Sequence, residues 1–260
     1  MIAELKRESW VSFPKPNPQA SLRLFCFPYA GGKAVSFRGW EKSLLNTVEV
    51  CPIELPGRGT RLMEKPFTHF SLLIPTITQA LIPYLDKPFA FFGHSMGAII
   101  SFEVARLLRK KYRLSPVHLF ISGRGAPQVP IEIKPIHNLP KPAFCQELRR
   151  LNGTPEEVLE NDELMELLLP MLRADFALIE NYVYTDERPL DCPISVFGGQ
   201  QDYKVSGDRL QAWIEQTTAD FSMQMFPGDH FFLHSAQQLL LQTLSQKLHQ
   251  LTYKYPCITI

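Results

Sequence analysis

Phe91-Phe92-Gly93-His94-Ser95-Met96-Gly97-Ala98 is the stretch whose reading decides the fold. Ahead of it, Pro88 to Phe92 forms a short apolar strand. Behind it, Ala98 to Arg109 reads as a helix that buries Ile99, Phe102, Val104 and Leu107 or Leu108. The Gly-x-Ser-x-Gly core between them matches the sharp strand-to-helix turn that exposes a nucleophilic serine. Gly93 and Gly97 suit that turn because Cβ atoms facing one another across so tight a backbone would collide. Hydrolysis or transfer of an acyl group at Ser95 follows. The plainer alternative is a serine that only caps a helix.

Working outward, strands are expected over Leu22 to Phe27, Val48 to Ile53, Phe89 to Phe92 and Val117 to Ser122. Helical patterns fall between them over Trp40 to Leu45, Phe70 to Leu85 and Ala98 to Lys110. This alternation calls for an α/β fold with a mostly parallel central sheet and flanking helices. Gly123 to Pro142, with Pro127, Pro130, Pro135, Pro140 and Pro142, breaks the rhythm and reads as a long loop. Short helices follow over Phe144 to Leu151 and Pro155 to Glu160, then one or two more over Glu163 to Tyr182, interrupted around Pro170. We read 130–185 as a helical lid insertion within a single domain of 1–260. The sheet pattern resumes over Asp191 to Gly198 and Phe221 to Phe226, with helices near Asp208 to Thr217 and Ser235 to Leu248. Met1 to Ala20, polar and punctuated by prolines, is expected to cross the surface before the core begins.

Composition narrows the function classes. The 260 residues, 45% hydrophobic and 20% charged, allow one sizeable core with a small addition. The 27 basic and 26 acidic residues nearly cancel, and neither forms a block that would attract nucleic acid or an anionic membrane. No apolar run of signal-peptide or membrane-spanning length occurs, so a soluble cytoplasmic protein is expected; a monomer is expected separately, with nothing in the sequence fixing the oligomeric state. The 5 cysteines are dispersed and lack paired metal-ligand spacing; Cys26, Cys51 and Cys192 read as small buried side chains. No metal or cofactor is called for.

A serine hydroxyl is a weak nucleophile at neutral pH and requires a base that takes its proton and returns it to the leaving group. Of the 7 histidines, His230 alone combines a late position, a strand-end loop and turn-forming neighbours in Phe226-Pro227-Gly228-Asp229-His230. His94 adjoins the serine but is expected to pack or support. His234 lies four residues after His230 without a further metal ligand at diagnostic spacing. Asp202, just past Ile194-Ser195-Val196-Phe197-Gly198-Gly199, is the acceptor expected to orient His230, in the order serine, aspartate, histidine. Asp229 and Asp175 are weaker candidates. The tetrahedral oxyanion needs fixed donors: the Met96 N–H, and one from Phe27-Pro28-Tyr29-Ala30-Gly31-Gly32, placed at Ala30 with Tyr29 as the near alternative.

These segments resemble the type II thioesterases of polyketide and nonribosomal peptide synthesis, a branch of the α/β-hydrolases. Leu24 to Gly32, Glu54-Leu55-Pro56-Gly57-Arg58-Gly59, Gly93 to Gly97, Asp191-Cys192-Pro193-Ile194 with Gly198, Gly199 and Asp202, and Pro227 to Phe231 carry the resemblance across roughly Leu22 to Leu248. It implies catalytic roles for Ser95, Asp202 and His230 and oxyanion roles for the Ala30 and Met96 amides. Leu169 to Phe176 is similar to the family's lid. The implied reaction is hydrolysis of aberrant or stalled acyl groups from the phosphopantetheine arm of acyl or peptidyl carrier proteins. That arm belongs to the substrate. A lid face of Leu168, Leu172, Phe176 and Ile179 is expected to line the arm's channel, with Leu172 and Phe176 as candidate substrate contacts. The same spacing also serves packing on a core. Arg58 or Arg61 either meets an anionic group of the arm or carrier, or forms a structural pair.

Two rivals remain at this stage. A carboxylester hydrolase or acyltransferase uses the same machinery, since the residues do not decide whether oxygen or sulfur leaves. A non-catalytic binding protein on a hydrolase fold is the other, against which the intact set of reactive residues argues.

Overall fold

The computed structural model describes residues 10–13, 15–130 and 134–254, which leaves Cys257 and the start of the N-terminal segment outside. Strands β1 (Leu22–Phe27), β2 (Val48–Pro52), β3 (Phe89–His94), β4 (His118–Ser122), β5 (Ile194–Gly199) and β6 (Phe221–Phe226) form one sheet in the order β2-β1-β3-β4-β5-β6. Every neighbouring pair is parallel. Parallel strands need crossovers, and helices fill them: α1 (Trp40–Ser43), α2 (Phe70–Leu81), α3 (Met96–Leu107), and then the longer excursion described below.

Side chains alternate across the strands, and both faces are covered, which explains why β1 and β3 read as unbroken apolar runs. Phe25, Phe27 and Phe91 pack in one core with Leu73 and Ile77 of α2 and Ile99 and Phe102 of α3. Leu22, Leu24, Cys26 and Phe92 face the other way. They meet Trp40 of α1 and, from the end of the chain, residues of α8 (Phe232–Ser235) and α9 (Gln237–Lys254).

Between β4 and β5 lie α4 (Lys141–Leu151), α5 (Glu156–Leu159) and α6 (Asp162–Glu180), which enclose their own apolar cluster of Phe144, Leu148, Leu159, Met165, Leu169 and Leu172. The expected break at Pro170 does not occur. Pro170 sits inside α6, a helix of 19 residues, where packing of its buried face outweighs one missing N–H donor. After β5 comes α7 (Gly207–Gln211). The short α8 starts ahead of the expected final helix.

The N-terminal expectation also needs correction. Trp10 and Val11 are buried, and Val11 pairs antiparallel with Ile53. The Arg61 guanidinium lies 4.0 Å from the Trp10 ring centroid, so Trp10 and Val11 belong to the core, while Lys15, Pro16, Pro18 and Gln19 are exposed as a surface crossing requires. Cys26, Cys51, Cys145 and Cys192 are free and buried. Among the described residues, no helix is long and apolar enough to cross a membrane.

Candidate active site

Ser95 stands at the carboxyl end of β3 in a backbone conformation (φ 54°, ψ −110°) that residues with a Cβ seldom adopt. Close packing of the turn holds it there. A Cβ on Gly93 would lie 2.2 Å from the Gly97 carbonyl oxygen, and one on Gly97 would lie 2.1 Å from that of Phe27. Ser95 N–H also donates to the Ser122 carbonyl at 2.8 Å, tying the turn to β4.

Three strand-end loops converge on the serine. His230, in the loop after β6, places Nε2 3.0 Å from Ser95 Oγ, while its Nδ1 lies 2.6 Å from Asp202 Oδ2 in the loop after β5. These loops are joined directly: Gln201 N–H donates to the Gly228 carbonyl at 2.9 Å, and a Cβ on Gly199 would meet the Asp229 oxygen at 2.2 Å. Asp202 Oδ1 accepts the Lys204 N–H at 2.9 Å. Burial alone would raise the Asp202 carboxyl, but the hydrogen bond and charge of His230, then the Lys204 amide and ammonium, hold it below the usual carboxylate value. Asp202 is therefore ionised at neutral pH and suited to stabilising an imidazolium.

The other candidates part company here. Asp229 turns to Phe231 N–H at 2.8 Å and the Asn152 amide at 3.0 Å. His94 is buried and bonds Ser122 Oγ through Nδ1 at 2.9 Å. Burial pushes its pKa well down, with the charges of His230 and His234 adding to the effect and the His230 backbone opposing it. His94 is thus a neutral packing element. His234 bonds the Tyr29 hydroxyl through Nε2 at 2.9 Å.

The Met96 amide is the first of α3, at the positive end of the helix dipole, and Ala30, in the loop after β1, lines the same cavity as Ser95. No loop or turn hydrogen bond among the described residues uses either amide. Both therefore stand free to meet a developing negative charge. The loop turns at Gly31 (φ 78°), whose N–H donates to Asp175 Oδ2 at 2.8 Å. Asp175, on α6, also receives Arg58 in a two-pronged ion pair at 2.8 and 2.6 Å, and both side chains are buried. Arg58 donates further to the Gly32 carbonyl at 3.1 Å. Arg58 and Arg61 are thus structural and do not face the cavity; Arg61 bonds Glu64 and the Glu54 carbonyl.

Ser95 and His230 open into a cavity of about 1130 Å³, which Tyr29 and Ala30 line on one side. Leu172, Phe176 and Ile179 of α6 line the other; Leu168 instead packs within the apolar cluster of the insertion. Phe176 is braced by Phe144 edge-on, with ring centroids 5.7 Å apart. Among the described residues, no group of three or more His, Cys, Asp or Glu could hold a metal ion.

Sequence reasoning missed two residues at this site. The sequence offered Asp175 only as a weaker candidate for the orienting acid, although an acidic residue on the apolar face of α6 is itself a signal of a buried partner. Arg124 also lines the cavity, and its position in Ser122-Gly123-Arg124-Gly125 at the carboxyl end of β4 could have drawn notice.

Comparison with known proteins identifies the family. The thioesterase domain model matches residues 22–248. A Brevibacillus parabrevis protein named linear gramicidin dehydrogenase LgrE is 47% identical over 249 residues, covering 95% of each chain. The gramicidin S biosynthesis protein GrsT of Aneurinibacillus migulanus is 47% identical over 239 residues, 92% of this chain and 93% of that one. The solved structure of the type II thioesterase BorB from the borrelidin biosynthetic cluster superposes with a TM-score of 0.84 at 32% identity, covering 92% of this chain and 97% of BorB. The chain described here belongs to the thioesterase family, and its relatives include the type II thioesterases BorB, of the borrelidin cluster, and YbtT, of a nonribosomal-peptide and polyketide pathway.

Proposed function

We propose that this thioesterase hydrolyses acyl groups from the phosphopantetheine arm of acyl or peptidyl carrier proteins through a covalent Ser95 intermediate, clearing stalled or aberrant chains. The observation that carries the reading is the continuous relay from Ser95 Oγ to His230 Nε2 (3.0 Å) and from Nδ1 to Asp202 (2.6 Å), at the base of a cavity large enough for an acyl arm.

In the first half-reaction, His230 Nε2 takes the Ser95 hydroxyl proton as Oγ attacks the thioester carbonyl. The carbonyl π pair moves to oxygen, where the Ala30 and Met96 amides hold the charge. When the pair returns, the carbon–sulfur bond breaks and His230 gives its proton to the departing thiolate. Asp202, ionised beside Nδ1, stabilises the imidazolium between these transfers. In the second half-reaction, water attacks the ester with His230 again as base, which frees the acid and restores Ser95. The helices of 130–185 act as the lid over this chemistry, with Leu172 and Phe176 as substrate contacts. Nothing in these steps requires a metal or cofactor.

The dehydrogenase in the name of one relative has no counterpart in these steps. After β1 this chain reads Pro28-Tyr29-Ala30-Gly31-Gly32, which lacks the three-glycine spacing of a dinucleotide fingerprint.

The test compares one acyl group on a carrier protein, on a small thiol and as an oxygen ester, with intact-protein mass spectrometry of the trapped intermediate. Carrier thioester cleavage with a mass increment on Ser95 is expected, absent from a folded Ser95→Ala protein. Faster cleavage of the free oxygen ester would move the reading to a carboxylester hydrolase; equal acylation of Ser95→Ala would remove the serine from it.

A further inference from the structure

We propose that Arg124 is the recognition group for a carboxylate borne on the acyl chain, so that this cavity accepts acyl groups ending or branching in an anionic oxygen. The inference rests on the thioesterase reading above and specifies the substrate class for that site.

Arginines that line the cavity differ in what they hold. Arg150 pairs with Glu147 at 2.8 Å, and Arg209 donates to the Pro130 carbonyl at 2.9 Å. The Arg124 guanidinium has no acceptor among the described residues, and its Nε is sealed from solvent with none. Its backbone is fixed, since the Arg124 carbonyl accepts Trp213 Nε1–H at 2.7 Å. Burial, with the like charge of Arg209 adding to it, pushes the group down to about 10, and the neighbouring Tyr182 opposes the shift; the guanidinium is still charged at neutral pH.

A cation whose Nε is buried and unpartnered among the described residues is costly, and a like charge nearby adds to the cost. Glu180 lines the same cavity but is already engaged, accepting the Ile136 N–H at 2.8 Å and bonding His137. A carboxylate entering with the substrate supplies what the wall lacks. Its two oxygens match the planar fork of a guanidinium. The phosphate of the arm is a poorer match, because Arg124 is withdrawn into the cavity while Arg150, 63% exposed, stands nearer the solvent for that group.

The test is a matched series of pantetheine thioesters: succinyl, glutaryl and adipoyl against butyryl, valeryl and hexanoyl, with 5-oxohexanoyl as the neutral-oxygen control. Calorimetry on Ser95→Ala protein reads binding without turnover, and kcat/KM on the wild type reads hydrolysis. At one or more lengths the carboxylate should bind at least about tenfold tighter than its methyl counterpart, in line with one added charge-assisted hydrogen bond. Ser95→Ala/Arg124→Met should lose that preference, and Arg124→Lys should keep part of it. Equal or tighter binding of the neutral chains at every length overturns the proposal, as does 5-oxohexanoyl matching glutaryl, whose oxygens it mimics at carbon 5. A preference that survives Arg124→Met assigns the carboxylate to another group and overturns it too. If Arg124→Met does not fold, Arg124→Gln on the Ser95→Ala background carries the same comparison. Failure of the thioesterase reading is separate: the wild type would cleave none of the thioesters, whatever the calorimetry finds.

Discussion

The two walls of the cavity are built by different means. On the sheet side, Ser95, Asp202 and His230 stand at the carboxyl ends of β3, β5 and β6, each pinned by backbone hydrogen bonds or by glycines packed too closely for a side chain. On the other side, α4, α5 and α6 pack mainly on one another, and they offer the cavity apolar side chains such as Leu148, Leu172, Phe176 and Ile179 together with the charged Glu147, Arg150 and Glu180. The main polar tie described between α6 and the reactive side is Asp175, which grips Arg58 and the Gly31 amide together. Position is over-determined on one wall and left to side-chain packing on the other. The difference fits a division in which the sheet fixes the reacting atoms and the helices adapt to the acyl chain.

That contrast can be broken in four places. The largest effect is expected at Asp202. Asp202→Asn should leave the fold intact yet lower kcat by about 10⁴-fold, the order found where an orienting carboxylate is lost beside a catalytic histidine. Turnover near wild type would show that the sheet wall does not depend on the relay.

Acid should loosen the sheet wall next. His94 on β3 and His118 on β4 are buried, and burial pushes His118 down to about 3, with the Lys247 charge adding to the shift. Between that value and the usual 6.5, the unfolded chain binds a proton that the folded chain refuses. Stability is therefore at full strength above the window and falls as pH is lowered through it, by about 1.4 kcal/mol per pH unit for each histidine. Urea unfolding at steps from pH 7 to pH 5 would measure the slope, and His118→Asn should roughly halve it. A flat profile would contradict the buried, neutral state of both rings.

At the tie between the walls, Asp175→Asn strands a buried guanidinium and should cost about 3 kcal/mol of stability in denaturant unfolding. It should also slow hydrolysis, because the loop that carries Ala30 loses its brace. Asp175→Leu combined with Arg58→Met removes both charges, so it should recover stability without recovering rate. Joint recovery of both would make the pair a matter of stability alone. The smallest effect belongs to the helical wall. Phe176→Ala should raise KM for medium-length acyl chains by about tenfold while leaving kcat for a short acyl group near its original value, a split that steady-state kinetics reads directly.

What the sequence made legible follows the range of the interactions. The turn at Ser95 is specified by neighbours two residues away, so its glycines announced it. Asp202 and His230 lie at strand ends in an order that the chemistry constrains, and the resemblance across Leu22 to Leu248 added the loops. The Arg58–Asp175 pair spans 117 positions, and nothing local in either segment names the other. Arg124 was hidden for the opposite reason, since its distinguishing property is the lack of a partner. Pro170 misled because local helix propensity counts for less than a buried face, and Trp10 because polar, proline-rich flanks masked one anchoring indole.

Asp175 holds both a helix of the roof and the turn beside the reactive carbonyl, and this sets a condition on entry. A tilt of α6 wide enough to admit a bulky chain would have to drag the Gly31 segment along or part the carboxylate from Arg58. Either way the neighbouring amide would swing off its target until the roof settled again. Under the proposed mechanism, admission and reactivity would then exclude one another in time.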